Sequence, residues 1–329
     1  MVRISLKKNP AVQRIVFFAF KIVVAILVLF VLVRRIQMDQ LSAAIAEASV
    51  ALIGAACLLL FVNIYFQYLK WRLVVHREND GIPGRRIFYS LFVGMALGLA
   101  TPGRLGDFGR TFFVKDADWA RLLGLLMIDK VITLAVLYFV GIIGLSHFIS
   151  MNMHPYVWAP IFIMAMLLVS AVLLFLLRPA LLRHFAARYH GAAHKFAALE
   201  KLVSGIELAT PHFTFRLFLY TVLQTLTYCT QFVLLIFAFR PIAVIEGYLA
   251  AFAVMFTKSL LPISLGDLGI RESASVYFFG QFGVPHAAAF NASLLLFVIN
   301  ILAPSLVGLG LFMLKRLNMK KTYAKSVAS

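Results

Sequence analysis

Thr101-Pro102-Gly103-Arg104-Leu105-Gly106-Asp107-Phe108-Gly109-Arg110 returns further along the chain in altered form, as Pro262-Ile263-Ser264-Leu265-Gly266-Asp267-Leu268-Gly269-Ile270-Arg271-Glu272. Both copies put a Pro three residues ahead of Leu-Gly-Asp, a Gly two residues past the Asp, and an Arg just beyond. Each lies between apolar runs. Helix breakers and charges are costly at membrane depth and belong there only where the backbone is buried in protein or lines a wet cavity. The two stretches therefore decide the reading of everything between them.

Outward from these motifs the chain is too apolar for a soluble domain. Of 329 residues, 62% are hydrophobic and only 13% charged, and several apolar runs reach the ~20 residues that cross about 30 Å of hydrocarbon as a helix. The expected fold is an all-α integral membrane protein. A formal charge of +18 raises the question of nucleic acid, but the bases sit in short loops between apolar runs. That placement fits topology and anionic headgroups, so no nucleic-acid partner is expected. Cys57 and Cys229 each lie within an apolar run and read as small packing residues.

Residues 1–329 form one membrane domain in this reading. Spans are expected at about 12–33, 49–69, 122–148, 157–177, 213–238 and 287–314, with residues 36–48 lying in the outer interface. The first run is too long for a signal-peptide core and is kept as a span. Basic residues gather at the N-terminus, around Lys70 to Arg86, through 178–212 and after Lys315, whereas Arg34, Arg35 and Arg240 fall on the other side. The bias puts both termini in the cytoplasm. Residues 178–212 mix Leu and Phe with Arg and Lys and read as a basic amphipathic segment on the inner leaflet.

Residues 87–100 reach only about 21 Å at 1.5 Å per residue, short of a crossing. They predict a re-entrant hairpin turning at Pro102-Gly103, with Gly94 and Gly98 allowing close packing against a neighbour. A second hairpin is expected at 247–282, although its entering limb is long enough to cross if Lys258 is tolerated, in which case the symmetry of the two halves fails. Halves 1–148 and 157–314 then each run span, span, hairpin, span in opposite directions. The result is a polytopic bundle of about six spanning helices plus two re-entrant hairpins in an inverted-topology repeat, an arrangement that in transporters puts the binding site near the midplane.

Asp107 and Asp267 would stand in the first turn of a restarted helix and cap free amides, and the same helix starts would attract an anion. A phosphate between the motifs would meet Arg104, Arg110 and Arg271, whose planar forks grip phosphate with paired bonds. Lys258 and Glu272 could complete a network with Asp267. The competing reading is plain pairing, Asp107 with Arg104 or Arg110 and Asp267 with Arg271, making the tips tolerable. Asp129 and Lys130 lie inside a span, cannot face each other, and either pair with other helices or, for Lys130, snorkel. Gln224, Thr227 and Gln231 share a face that should point into the bundle, and Gln224 and Gln231, with Asp129 and Lys130, are the candidate cavity-lining residues. Asn63, Gln67 and Lys70 form a stripe expected to act as interhelical glue. The His residues show no metal spacing, and no catalytic or cofactor fingerprint is present, so no metal, no cofactor and no enzyme activity are expected.

On the two motifs, with Phe282-Gly283-Val284 and Ala287-Ala288-Ala289 after the second, the chain resembles the transmembrane-domain family of lysylphosphatidylglycerol synthase and flippase proteins and its stand-alone bacterial inner-membrane relatives. The resemblance implies movement of lipids between leaflets, with synthesis belonging to a soluble C-terminal domain. Since the sequence ends at Ser329, soon after the last apolar run, a synthase is not expected. Asp107 stands where relatives carry Glu, which leaves the lipid open. The leading expectation is a flippase that passes a charged, phosphate-containing headgroup of an anionic phospholipid or lipid-linked substrate through a polar cavity. A membrane-embedded headgroup transferase and an accessory scaffold for a lipid-modifying enzyme are the alternatives.

Overall fold

A computed structural model describes residues 46–101, 103–151, 154–176, 178, 180, 184, 197–260 and 269–328. The expected span at 12–33, residues 36–45 of the expected interfacial stretch, residues 179, 181–183 and 185–196 of the 178–212 segment, and the second motif from Pro262 to Leu268, including Asp267, lie outside the described residues. Within them the chain is helical, with no strand. The helices are α1 Val50–Glu78, α2 Gly84–Leu99, α3 Trp119–Ser150, α4 Pro155–Leu176, α5 Ala197–Glu207, α6 Pro211–Phe239, α7 Val244–Leu260, α8 Ile270–Gly280, α9 His286–Phe297 and α10 Ala303–Ala328. Five stretches among the described residues are long and apolar enough to cross a bilayer: Val50–Glu78, Trp119–Ser150, Tyr156–Leu176, Pro211–Phe239 and His286–Lys315. The protein is an all-α polytopic membrane protein.

Local sequence explains where the long helices begin. Asp118 accepts hydrogen bonds from the amides of Ala120 (2.9 Å) and Arg121 (3.4 Å) at the start of α3. Thr210 accepts from the Phe213 amide at 3.4 Å ahead of α6, whose first residue, Pro211, has no amide hydrogen to satisfy. A π segment, Val298–Leu302, joins α9 to α10 without breaking the rod.

The bundle is built on α1 and α6, which run antiparallel along their whole length. Ser49 N–H donates to the Ala238 carbonyl at one end (2.8 Å), and Arg77 Nε donates to the Leu208 carbonyl at the other (2.5 Å). Between these, Gln231 Nε2 donates to the Ala56 carbonyl (2.8 Å). One apolar core, with Trp71, Leu122, Leu125 and Leu217, joins α1, α2, α3 and the first half of α6. Another, with Phe232, Val254, Phe279 and Ala289, joins the rest of α6 to α7, α8 and α9. Asn63, Gln67, Lys70 and Gln224 lie between those two cores along α1 and α6.

The remaining long helices cross over. α2 packs along α10, and α7 packs along α3. Both contacts use a glycine: Gly308 lets α10 reach the Phe92 carbonyl on α2, and Gly144 lets α3 reach the backbone of α7 at Leu249 and Ala253. α2, with 16 residues, extends only about 24 Å, and α8, with 11 residues, about 17 Å. Neither crosses alone. α5 is the described part of the expected surface segment. It docks on the first turns of α3, where Gly205 meets the Arg121 backbone and Lys201 pairs with Asp118 at 2.8 Å. Of the two cysteines, Cys229 is buried as expected, whereas Cys57 is exposed on α1.

Candidate functional site

The first motif doubles back. After α2 the chain turns at Gly103 (φ 59°) and Arg104 (φ 56°), both left-handed, and returns as a 3₁₀ helix, Leu105–Phe113. Thr101 ties the turn: its hydroxyl donates to the Leu97 carbonyl (3.0 Å) and accepts from the Gly106 amide (2.6 Å). The neighbour expected at the small-residue face of α2 is this returning limb. A side chain at Gly94 would sit 2.7 Å from the Cβ of Arg110, and one at Gly98 would collide with the Asp107 carboxylate. Asp107 and Arg110 are thus held against α2 and directed toward α1 and α3.

What they meet is a chain of charge. Asp107 Oδ2 faces Lys130 Nζ at 3.4 Å and Arg104 Nε at 3.6 Å. Asp129 faces Lys70 Nζ at 2.8 Å and, through its other oxygen, Arg110 at 3.9 Å. Lys70 also donates to Thr133 Oγ1 (3.0 Å) and Gln224 Oε1 (3.3 Å). The Arg110 guanidinium lies 4.2 Å over the Trp71 ring, while its Nε has no hydrogen-bond partner among the described residues. Together with Gln67 these groups line a hollow of about 80 Å³. Exposure grades across it. The Lys70 and Asp129 side chains are 7% and 6% exposed at the floor, Arg104 and Lys130 28% and 35% at the mouth.

Asp107 does not cap the helix it begins; its carboxylate turns to cations, because the tight 3₁₀ turn starts from Arg104 with no side-chain cap. Asp129 and Lys130 do reach other helices, as one of the two expectations for them held. Gln224 lines the hollow, but Gln231 is sealed between α6 and α1. Lys70 is the residue that sequence reasoning undervalued. Read as part of a basic turn and as glue, it is the deepest cation of the cluster, since α1 continues as a helix to Glu78. Its signal was available in the Asn63, Gln67, Lys70 spacing.

Among the described residues the second constellation is buried. Arg271 donates from Nε to Ser293 Oγ (3.0 Å) and from its terminal nitrogen to Glu272 Oε1 (2.5 Å). Ser293 donates to the same Glu272 oxygen (3.1 Å), and Glu272 Oε2 accepts the Gly269 amide (2.6 Å), capping α8. The side chains of Arg271 and Glu272 are 0% exposed. Neither lines the first hollow, so the expected sharing of one pocket by Arg104, Arg110 and Arg271 is not what the described residues form. The cause is local: the residue following Arg271 is its own counter-ion. Lys258, in the last turn of α7, stands 5.1 Å over the Tyr228 ring, outside the first hollow. A polar thread runs toward α9 from the hollow: Gln67 donates to Asn63 (3.3 Å), and Asn63 to Asn300 in the π segment (2.6 Å).

Fold and site together define a polytopic membrane protein with an ionic cluster walled in by its helices. The family model described as the lysylphosphatidylglycerol synthase TM region matches residues 18–308, and the chain belongs to that family. Its role is a membrane-lipid one. No curated protein matches the chain.

Proposed function

We propose that the protein moves a phosphate-containing lipid headgroup between leaflets through the hollow at the first motif, leaving the apolar chains in lipid. One observation carries this. Among the described residues, and leaving Arg104 aside, three cations, Lys70, Arg110 and Lys130, face two carboxylates, Asp107 and Asp129, around that space. Excess positive charge with little solvent is costly until an anion joins it, and arginine with lysine is the set that grips phosphate. The graded exposure from Arg104 to Lys70 supports a path with a mouth and a floor. The reading assigns no bond-making step, so the lipid leaves chemically unchanged.

The crossed packing of α2 on α10 and α7 on α3, with α1 on α6 at the centre, supports an inverted repeat in which each half clasps the hairpin limb of the other. The basic end of α1 with the start of α2, carrying Arg72, Arg77, Arg85 and Arg86, supports a cytoplasmic-membrane location with that end, and both termini, inside. Membrane lipids, anionic or lipid-linked, are the partners.

The test is reconstitution in liposomes with a fluorescent phosphatidylglycerol analogue. Arg110→Gln should slow flipping at least tenfold with the helical content and thermal midpoint of the native protein, and chromatography of the recovered lipid should show one species. Native-rate flipping in both Arg110→Gln and Arg104→Gln would overturn the proposal.

A further inference from the structure

A second hollow bordered by described residues plays no part in the cluster above. It holds about 430 Å³ between the end of α1 and the beginning of α6, a size in the range of about 300–1,000 Å³ usual for small-ligand sites. On α1 its wall carries Arg72, His76 and Arg77, at helical spacing, so they form one stripe, and Asp80 follows in the turn after the helix. Lys70, two residues before Arg72, falls off that stripe and faces the ionic cluster instead. On α6 the wall carries His212 and Arg216, one turn apart. Three guanidinium groups and two imidazoles thus stand against one carboxylate.

Two of those arginines have nothing to hold. Arg72 and Arg216 are exposed and make no ion pair or hydrogen bond among the described residues. Arg77 is anchored through Nε on the Leu208 carbonyl and His76 through its ring on the Ile82 carbonyl (3.2 Å), which holds the C-terminal end of the α1 stripe. Leu69, Leu73 and Phe213 floor the hollow, giving the arginine stems apolar support while their heads stay at the rim.

We infer that this hollow is a second anion site, distinct from the ionic cluster, which takes a phosphate group between Arg72 and Arg216. Two guanidinium forks on facing helices suit a tetrahedral oxyanion better than a carboxylate or a neutral headgroup. The inference does not depend on transport: a bound headgroup here pins α1 to α6 at their basic end whether or not lipid is flipped. The phosphate can belong to an anionic phospholipid or to a soluble phosphate compound.

Full-length protein, stripped of lipid in detergent, is offered phosphatidylglycerol or phosphatidylcholine of identical chains, and lipid adducts are measured by native mass spectrometry. The measurement is made in the native and the Arg110→Gln backgrounds, so that loss at the first hollow is separated from loss at this one. Arg72→Gln with Arg216→Gln should weaken phosphatidylglycerol retention about fivefold or more in both backgrounds. Arg85→Gln with Arg240→Gln removes the same charge outside the hollow and should leave retention unchanged. Inorganic phosphate that raises the thermal midpoint of the native protein but not of the Arg72/Arg216 variant, with the two lipids binding alike, assigns the site to a soluble phosphate and supports the inference too. Equal losses in the two paired variants, or no loss in either together with no effect of phosphate, would overturn it. The thermal midpoints without ligand check that the variants fold, and the single substitutions stand in where the pair does not.

Discussion

Arg110 and Arg271 end two motifs of almost the same wording, and the molecule treats them differently. Arg271 is paired with its neighbour Glu272 and with Ser293, both charged side chains wholly buried, with a capped amide at the network's edge. Arg110 lies 3.9 Å from a carboxylate that Lys70 already holds at 2.8 Å, with an aromatic face behind it and a hollow beside it. Among the described residues the first arrangement pairs its arginine with a carboxylate, whereas the second sets three cations, Lys70, Arg110 and Lys130, against two carboxylates. A repeated motif therefore marks two places where the chain breaks, and only the accounting of partners separates an anchor from a binding site.

The largest expected effect breaks the anchor. Glu272→Gln removes the counter-ion of a fully buried arginine, a loss of about 3–5 kcal/mol in general, and the thermal midpoint in detergent should fall steeply. Arg271→Met with Glu272→Leu removes both charges and should recover most of that stability, because a buried pair is close to neutral against apolar residues of similar volume. Asp107→Asn is the matched change in the other arrangement. Its cations, Lys130 and Arg104, are partly exposed, so its cost in stability should fall well below that of Glu272→Gln while flipping is lost. Equal destabilisation by Asp107→Asn and Glu272→Gln would erase the distinction drawn between the two constellations.

Much of this was legible in the sequence. Hydrophobic runs gave the long helices, and the short reach of residues 87–100 with Pro102-Gly103 gave a chain that turns back. Asp107, Arg104, Arg110, Asp129 and Lys130 were all marked because charge is rare at membrane depth. What stayed hidden was pairing. Nothing in the sequence says that Asp129 reaches Lys70 on another helix, since the contact depends on α1 continuing in register past Trp71. Nor could spacing reveal that Glu272 turns back on Arg271: adjacent helical residues diverge, and only the long reach of both side chains with Ser293 between them allows the contact.

A smaller effect sharpens the comparison by testing how the open cluster is held in place. Gly98 lies against the Asp107 carboxylate, and a methyl group there has to push the returning limb off α2. Gly98→Ala should cost about 1–3 kcal/mol, the usual range for overpacking, and it should slow flipping by more than its loss of stability explains, since Asp107 and Arg110 move with the limb. Gly310→Ala is the control, because nothing lies within 4 Å of the added atom. A Gly98→Ala protein that matches the Gly310→Ala protein in both measurements would show that the limb is not braced by this contact.

The smallest effect comes from a third kind of charged contact, outside the spans. Asp118 caps α3 and pairs with Lys201 of α5 at 2.8 Å, where water reaches both side chains. Partial burial by itself would push the Asp118 carboxyl up, but the Lys201 ammonium and the Ala120 and Arg121 amides outweigh it and hold the group below the ordinary range for aspartate. A carboxyl depressed in the folded protein stabilises it above the unfolded value of about 3.9, and that contribution is lost as pH falls through the folded value. Asp118→Ala should therefore cost about 1 kcal/mol at pH 7, the usual worth of such a cap, and less than that near pH 3. Asp118→Asn keeps a capping oxygen without the charge, so its thermal midpoint at pH 7 should lie between those of the native and Ala proteins, with the native excess over Asn vanishing in acid. An excess that persists unchanged to low pH would mean that the ionised carboxylate contributes nothing there, and that only the buried charges, whether balanced like Arg271 or in surplus like Arg110, matter to the fold.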